Sequence, residues 1–96
     1  MVSHITISTS APATLKPLLV NAIQSELKAI TYGLRRTRER LAVFEQRFGL
    51  ASAEFESRFD GQDLKETLDY LDWWMELEAL HALEEHYQAL SEAHID

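Results

Sequence analysis

The sequence has no cysteine, which excludes disulfide frameworks and cysteine-ligated metal sites. It has only three glycines, scattered as Gly33, Gly49 and Gly61, so there is no glycine-rich loop to cradle a phosphate. Nowhere does an apolar run approach the ~20 residues of a membrane span. Residues 1–12 carry neither a basic leader nor a long apolar core, so a cytoplasmic, soluble protein with no membrane partner is expected. Serines and threonines stand at no recognisable spacing from a histidine and an acid. The sequence therefore predicts no enzyme, no cofactor and no catalytic residues.

Basic residues are scarce in one half only. Residues 1–48 hold seven Lys/Arg against three acids, a balance of +4, whereas residues 49–96 hold Arg58 and Lys65 against thirteen acids, a balance of −11. In a hairpin, a basic half followed by an acidic half predicts complementary helices laid side by side. The surplus of negative charge disfavours nucleic acid and favours basic proteins as partners. With 96 residues, 46% apolar and 26% charged, the chain fits one globular domain whose core is small enough for self-association to complete it.

All four phenylalanines fall between Phe44 and Phe59. Phe44 and Phe48 close a long helical pattern, Gly49 stops it, and Ser52 opens a short helix carrying Phe55 and Phe59. Each pair is spaced i, i+4 and so shares a helical face. This stretch is expected to be the aromatic tip of a helical hairpin.

Along the chain, His4 to Ser8 alternates Ile5 and Ile7 with polar residues, the pattern of a short strand, to be paired across a dimer or left as an arm. The domain is expected to divide into an arm over 1–12, a long helix over 13–48 with Pro17 in its opening turn, a short helix over 52–60 and a long acidic helix over 63–93. In the first helix Val20, Ile23, Leu27, Ile30, Leu34, Thr37, Leu41, Phe44 and Phe48 follow alternating steps of three and four. That is the repeat of a left-handed coiled-coil seam. Arg38, Arg40 and Arg47 flank the seam and Arg35 and Arg36 point away. Gly33, beside the seam, is read as permitting close helix approach.

For the last helix, Asp63 with Glu66 resembles a capping box. Its apolar face shifts from Leu64, Leu68, Leu71 and Met75 to Leu77, Leu80, Leu83, Tyr87 and Leu90, as expected of a helix with two neighbours, the first helix of its own chain and a second subunit. The expected core of the hairpin and dimer is Ile23, Leu27, Ile30, Leu34, Leu41, Phe44, Phe48, Phe55 and Phe59. Trp73 and Trp74 are adjacent and cannot both enter one core, so one is expected at an interface, where Trp is a favoured anchor. The competing reading has one of them covering the tip near Phe55 and Phe59.

Glu78-Ala-Leu-His81, with Glu85 a turn on, has the Glu-x-x-His spacing of di-iron bundles. It lies on the most polar face of its helix, and no metal is expected there. A strand followed by a helix, a break at Tyr32-Gly33 and a second helix would imitate a ribbon–helix–helix DNA-binding module, with Arg35, Arg36 and Arg38 toward phosphate. The strand, however, lacks Arg or Lys.

The run Tyr32-Gly33-Leu34, Arg36-Thr37-Arg38-Glu39-Arg40-Leu41, then Phe44-Glu45, Phe48-Gly49 and Ser52-Ala53-Glu54-Phe55 resembles a family of small prokaryotic helical proteins. They share Gly-Leu-x-x-Thr, Phe-Glu-x-x-Tyr-Gly-Met and Ser-x-Glu-Phe before an acidic, Trp-containing helix. Phe48 and Leu50 stand where that pattern has Tyr and Met. By gene context the resemblance implies an antitoxin-like role and no catalytic residues. The expectation is an all-α hairpin with a short tip helix, dimeric as a four-helix bundle. It would act as a protein–protein interaction module that neutralises a small basic toxin-like partner through Trp73, Trp74, Asp69, Asp72, Glu76 and Glu84. The alternatives are a DNA-binding autorepressor and a purely structural dimeric bundle.

Overall fold

The computed structural model describes residues 4–60 and 64–93. Three helices follow in order: α1 (Pro12–Phe48), α2 (Ser52–Asp60) and α3 (Leu68–Ser91). The described residues contain no strand, and residues 4–9 have no regular secondary structure. The cross-dimer strand is therefore not formed within a single chain.

α1 begins at Pro12, whose missing N–H costs nothing in a first turn, after Ala11, which accepts backbone bonds from Thr14 and Leu15. The earlier start moves Pro17 out of the opening turn into the second, where it removes one intrahelical hydrogen bond. The helix then runs unbroken through Tyr32-Gly33 to Phe48. It ends because Gly49 takes the left-handed conformation (φ 63°) and returns its N–H to the Glu45 carbonyl at 2.9 Å.

Glu45 also reaches across this turn. Its carboxylate accepts the Ser52 backbone N–H at 2.8 Å, placing an anion at the start of α2, where the exposed N–H groups favour one.

α3 starts later than the sequence suggests. Thr67, in extended backbone, is its N-cap and accepts the Tyr70 N–H on its hydroxyl at 3.1 Å, so residues 64–67 are linker rather than helix. Asp63, the other half of the expected capping box, lies outside the described residues, as does most of the Asp60-Gly61-Gln62 turn.

α3 runs antiparallel to α1, with Arg47 opposite Asp69, Arg40 opposite Glu76 and Gly33 opposite Leu83. A Cβ on Gly33 would lie 3.3 Å from a Leu83 methyl, so the glycine does allow the close helix approach expected of it. The middle of the seam is buried at Ile30, Leu34, Thr37 and Leu41, and Phe44 and Phe48 are half-buried against the tip. Ile23 and Leu27 are only half-buried, and Val20 is exposed.

The dense part of the core lies near the tip, where Leu41, Phe55, Trp73 and Leu77 are buried together. The Trp73 indole lies flat on Phe55, with ring centroids 3.9 Å apart, and Phe44 and Phe48 stack more distantly at 5.7 and 5.8 Å. The short helix is thus held to the hairpin by one aromatic sandwich.

The two long helices differ in length. α1 has 37 residues and α3 has 24, and the molecule is 57 Å long. At ~1.5 Å per residue, the N-terminal third of α1 runs about 20 Å beyond the end of α3. Leu15, Leu18, Leu19, Val20 and Ile23 lie on that extension; none is fully buried, and Leu18 is 59% exposed.

Candidate functional site

The acids singled out in α3 have two different fates. Asp69 pairs with Arg47 at 3.1 Å, Glu76 with Arg40 at 3.1 Å, and Glu84 faces Arg38 at 3.9 Å. Three of the four expected partner-binding acids, Asp69, Glu76 and Glu84, are therefore matched by the arginines that flank the α1 seam. Only Asp72 is exposed and without an ion pair among the described residues. Glu78 and Glu85, on the solvent side of α3, are likewise exposed. Asp72, Glu78 and Glu85 are thus exposed acids of α3 without an ion pair among the described residues.

The two tryptophans also separate. Trp73 has no exposed surface and donates its indole N–H to the buried Ser52 hydroxyl at 3.0 Å. No partner could touch it with the helices packed as they are, and it takes the tip-covering role beside Phe55 that was the competing reading. Trp74 is half-buried and donates its indole N–H to the Asp60 carboxylate at 3.3 Å.

Trp74 forms one wall of a groove of about 580 Å³, lined also by Phe59, Asp60, Leu64, Glu66 and Leu71. Its charged lining residues are both acidic. On the same side of α3, Leu68 is 82% and Met75 63% exposed. These uncovered apolar side chains lie at the opposite end of the molecule from the α1 extension.

His81 turns toward α2 and meets the Glu56 carboxylate at 2.8 Å, with Glu84 at 3.6 Å. The hydrogen bond to Glu56 holds its pKa above the ordinary histidine value, against the opposing effect of burial and with help from the charges of Glu56 and Glu84. Its expected neighbours Glu78 and Glu85 do not join it. Among the described residues no group of three His, Asp or Glu side chains could hold a metal ion.

Arg35 and Arg36 bracket the exposed Tyr32 ring at 5.5 and 5.9 Å, and so point away from the seam as expected. Of the residues that fix the tip, Glu56 and Tyr70 were not singled out by sequence, and Glu45 and Ser52 were not linked to each other. Glu45 and Ser52 are seven apart across a turn, and Glu56 and His81 lie on different helices, so no periodicity links them.

No known family, curated protein or solved structure matches the chain. No described helix is long and apolar enough to cross a membrane.

Proposed function

We propose that the chain is a protein–protein interaction module that works as a homodimer and receives a basic protein on its acidic second half, as an antitoxin does. The observation that carries the reading is the extension of α1. The first thirteen residues of α1 lie beyond the end of α3; among the described residues Leu18 and Val20 there are exposed and Leu15, Leu19 and Ile23 only half-buried, so this stretch gains little of the tertiary packing that stabilises helices. A second copy would cover these side chains and complete a four-helix bundle, the natural remedy for a domain this small.

The basic partner is supported by the balance of −11 over residues 49–96. It is supported also by the exposure of Asp72, Glu78 and Glu85 after the internal ion pairs are formed. These acids would steer a basic surface to α3 and block it from its own substrate, with opposite charge raising the rate of capture. The resemblance to small prokaryotic antitoxin-like proteins points the same way. The continuity of α1 through Tyr32-Gly33 removes the helix–break–helix on which the DNA-binding alternative depends.

The test is affinity capture from the source cells followed by sizing of the eluate. A small basic protein should elute at fixed stoichiometry with a dimer of the chain, and D72N/E78Q/E85Q should release it at moderate salt. A basic protein retained equally by that triple variant, or no basic protein at all, would remove the antitoxin reading. Sedimentation of wild type against L18E/I23E tests the dimer separately. The wild type should run as a dimer, and the variant as a monomer of 11.0 kDa.

A further inference from the structure

Among the described residues, two stretches of uncovered apolar side chains lie at opposite ends of the molecule. One is the α1 extension with Leu15, Leu18 and Leu19; the other is the groove at the tip, walled by Leu71 and Trp74 and continued by Leu68 and Met75. We infer that each is the seat of the other: the homodimer is antiparallel, and the α1 extension of one copy lies against the tip groove of the second.

The register within the hairpin, combined with a two-fold axis placed at the midpoint of α1, brings the two surfaces level. Gly33 lies against Leu83 and Arg40 against Glu76, so each step toward the start of α1 is matched by an equal step toward the end of α3. Followed onward, Ser91 falls level with Ser25, and the extension runs from there to Pro12. A two-fold axis crossing α1 at its midpoint, Ile30, then sets Leu18 of one copy level with Ala42 of the other. In that other copy Ala42 is level with Trp74. The extension of each copy therefore spans the stretch of the other on which Leu68, Leu71, Trp74 and Met75 lie.

Charge supports the same direction. Residues 12–28 carry Lys16 and Lys28 against Glu26, while the groove is lined by Asp60 and Glu66. An antiparallel pair brings Lys16 toward these acids. A parallel pair would lay the two extensions on each other, set Lys16 beside Lys16, and leave Leu68, Met75 and the groove bare. The antiparallel contact is isologous and closed: residue i meets j, and j meets i, so both apolar surfaces are covered with no open end for further growth.

This inference rests on the dimer proposed above, and disulfide trapping separates the two. The chain has no native cysteine, so L18C and M75C each introduce a single thiol at an exposed position. The two proteins are mixed in equal amounts at a concentration where wild type sediments as a dimer, exchanged, oxidised gently and analysed by mass spectrometry. The expected product is the mixed L18C–M75C cross-link, in several-fold excess over either symmetric one. A predominant L18C–L18C product would show extensions paired in parallel, overturning the antiparallel arrangement while leaving the dimer intact. A predominant M75C–M75C product would overturn it as well, by placing the two tips together. A wild type that sediments as a monomer at ~100 µM, far above typical dimer dissociation constants, would overturn both the arrangement and the dimer.

Discussion

The Trp73 indole lies parallel to the Phe55 ring, 3.9 Å between centroids and 2° between planes, and its N–H is donated to Ser52 at 3.0 Å. Both rings are fully buried. α2 is a nine-residue helix, too short to persist without such contacts, so this stack and its hydrogen bond fix the tip to the hairpin.

Replacing either ring by alanine should therefore remove α2 along with the packing. W73A and F55A are each expected to cost about 3–5 kcal/mol, a large share of the ~5–15 kcal/mol that holds a small domain together. Loss of a cooperative urea transition with most helical circular dichroism retained is the expected result. S52A, which leaves the Trp73 N–H buried and unpaired, should cost about 1–3 kcal/mol and keep the transition cooperative.

The two described glycines should respond oppositely to alanine. At Gly49 the backbone is left-handed, with nothing within 4 Å of an added Cβ. The cost is therefore purely conformational, about 1–2 kcal/mol, and G49N should recover part of it. At Gly33 the backbone is helical and the nearest obstacle is a flexible Leu83 methyl at 3.3 Å. G33A should be neutral or stabilising by up to ~1 kcal/mol, whereas G33L, which must part the helices, should destabilise by about 1–3 kcal/mol. Urea midpoints of G49A, G49N, G33A and G33L against wild type check this.

The His81–Glu56 contact makes stability depend on pH in a definite direction. The folded pKa of His81 is raised, so the folded state holds this proton more tightly than the unfolded chain does. The contribution is complete below the unfolded value of about 6.5 and disappears as pH rises through the folded value. The groups facing His81 are Glu56 on α2 and Glu84 on α3, the latter shared with Arg38. Half the His81 side chain is exposed, so solvent screening keeps the effect to about 0.2–1 kcal/mol. Wild type should lose that much relative to H81Q between pH 5.5 and pH 8.5 in urea titrations, and E56Q should flatten the difference.

The three arginine–acid pairs along the hairpin are exposed, and each should contribute little alone. R40A or E76A should shift stability by less than ~1 kcal/mol, and the shift should shrink in 0.5 M salt. A double-mutant cycle on Arg40 and Glu76 should return a coupling energy of a few tenths of a kcal/mol.

The seam of α1 was legible because helical periodicity is a local property. Steps of three and four from Val20 to Phe48 name one face, and Ile30, Leu34, Thr37 and Leu41 are buried on it. Gly49 as a stop, and the arginines as partners for α3, followed from residue chemistry in the same way. The start of α3 was not legible: the sequence offered Asp63-x-x-Glu66 as a cap, whereas the helix is capped by Thr67, and that choice depends on where the tip places the linker. Nor was the division of the α3 acids between internal pairs and open surface, since that requires the register against α1.

Of the whole protein, sequence alone determined the helices, their buried faces and the opposite charge of the two halves, because each depends on spacing within one segment. Tertiary structure alone decided which tryptophan is buried. Adjacent residues on a helix point about 100° apart, and only the position of Phe55 and Ser52 selects Trp73 for the core and leaves Trp74 at the groove. It decided likewise that α1 outruns α3, since that depends on where α3 ends and on which residues of the two helices lie opposite one another.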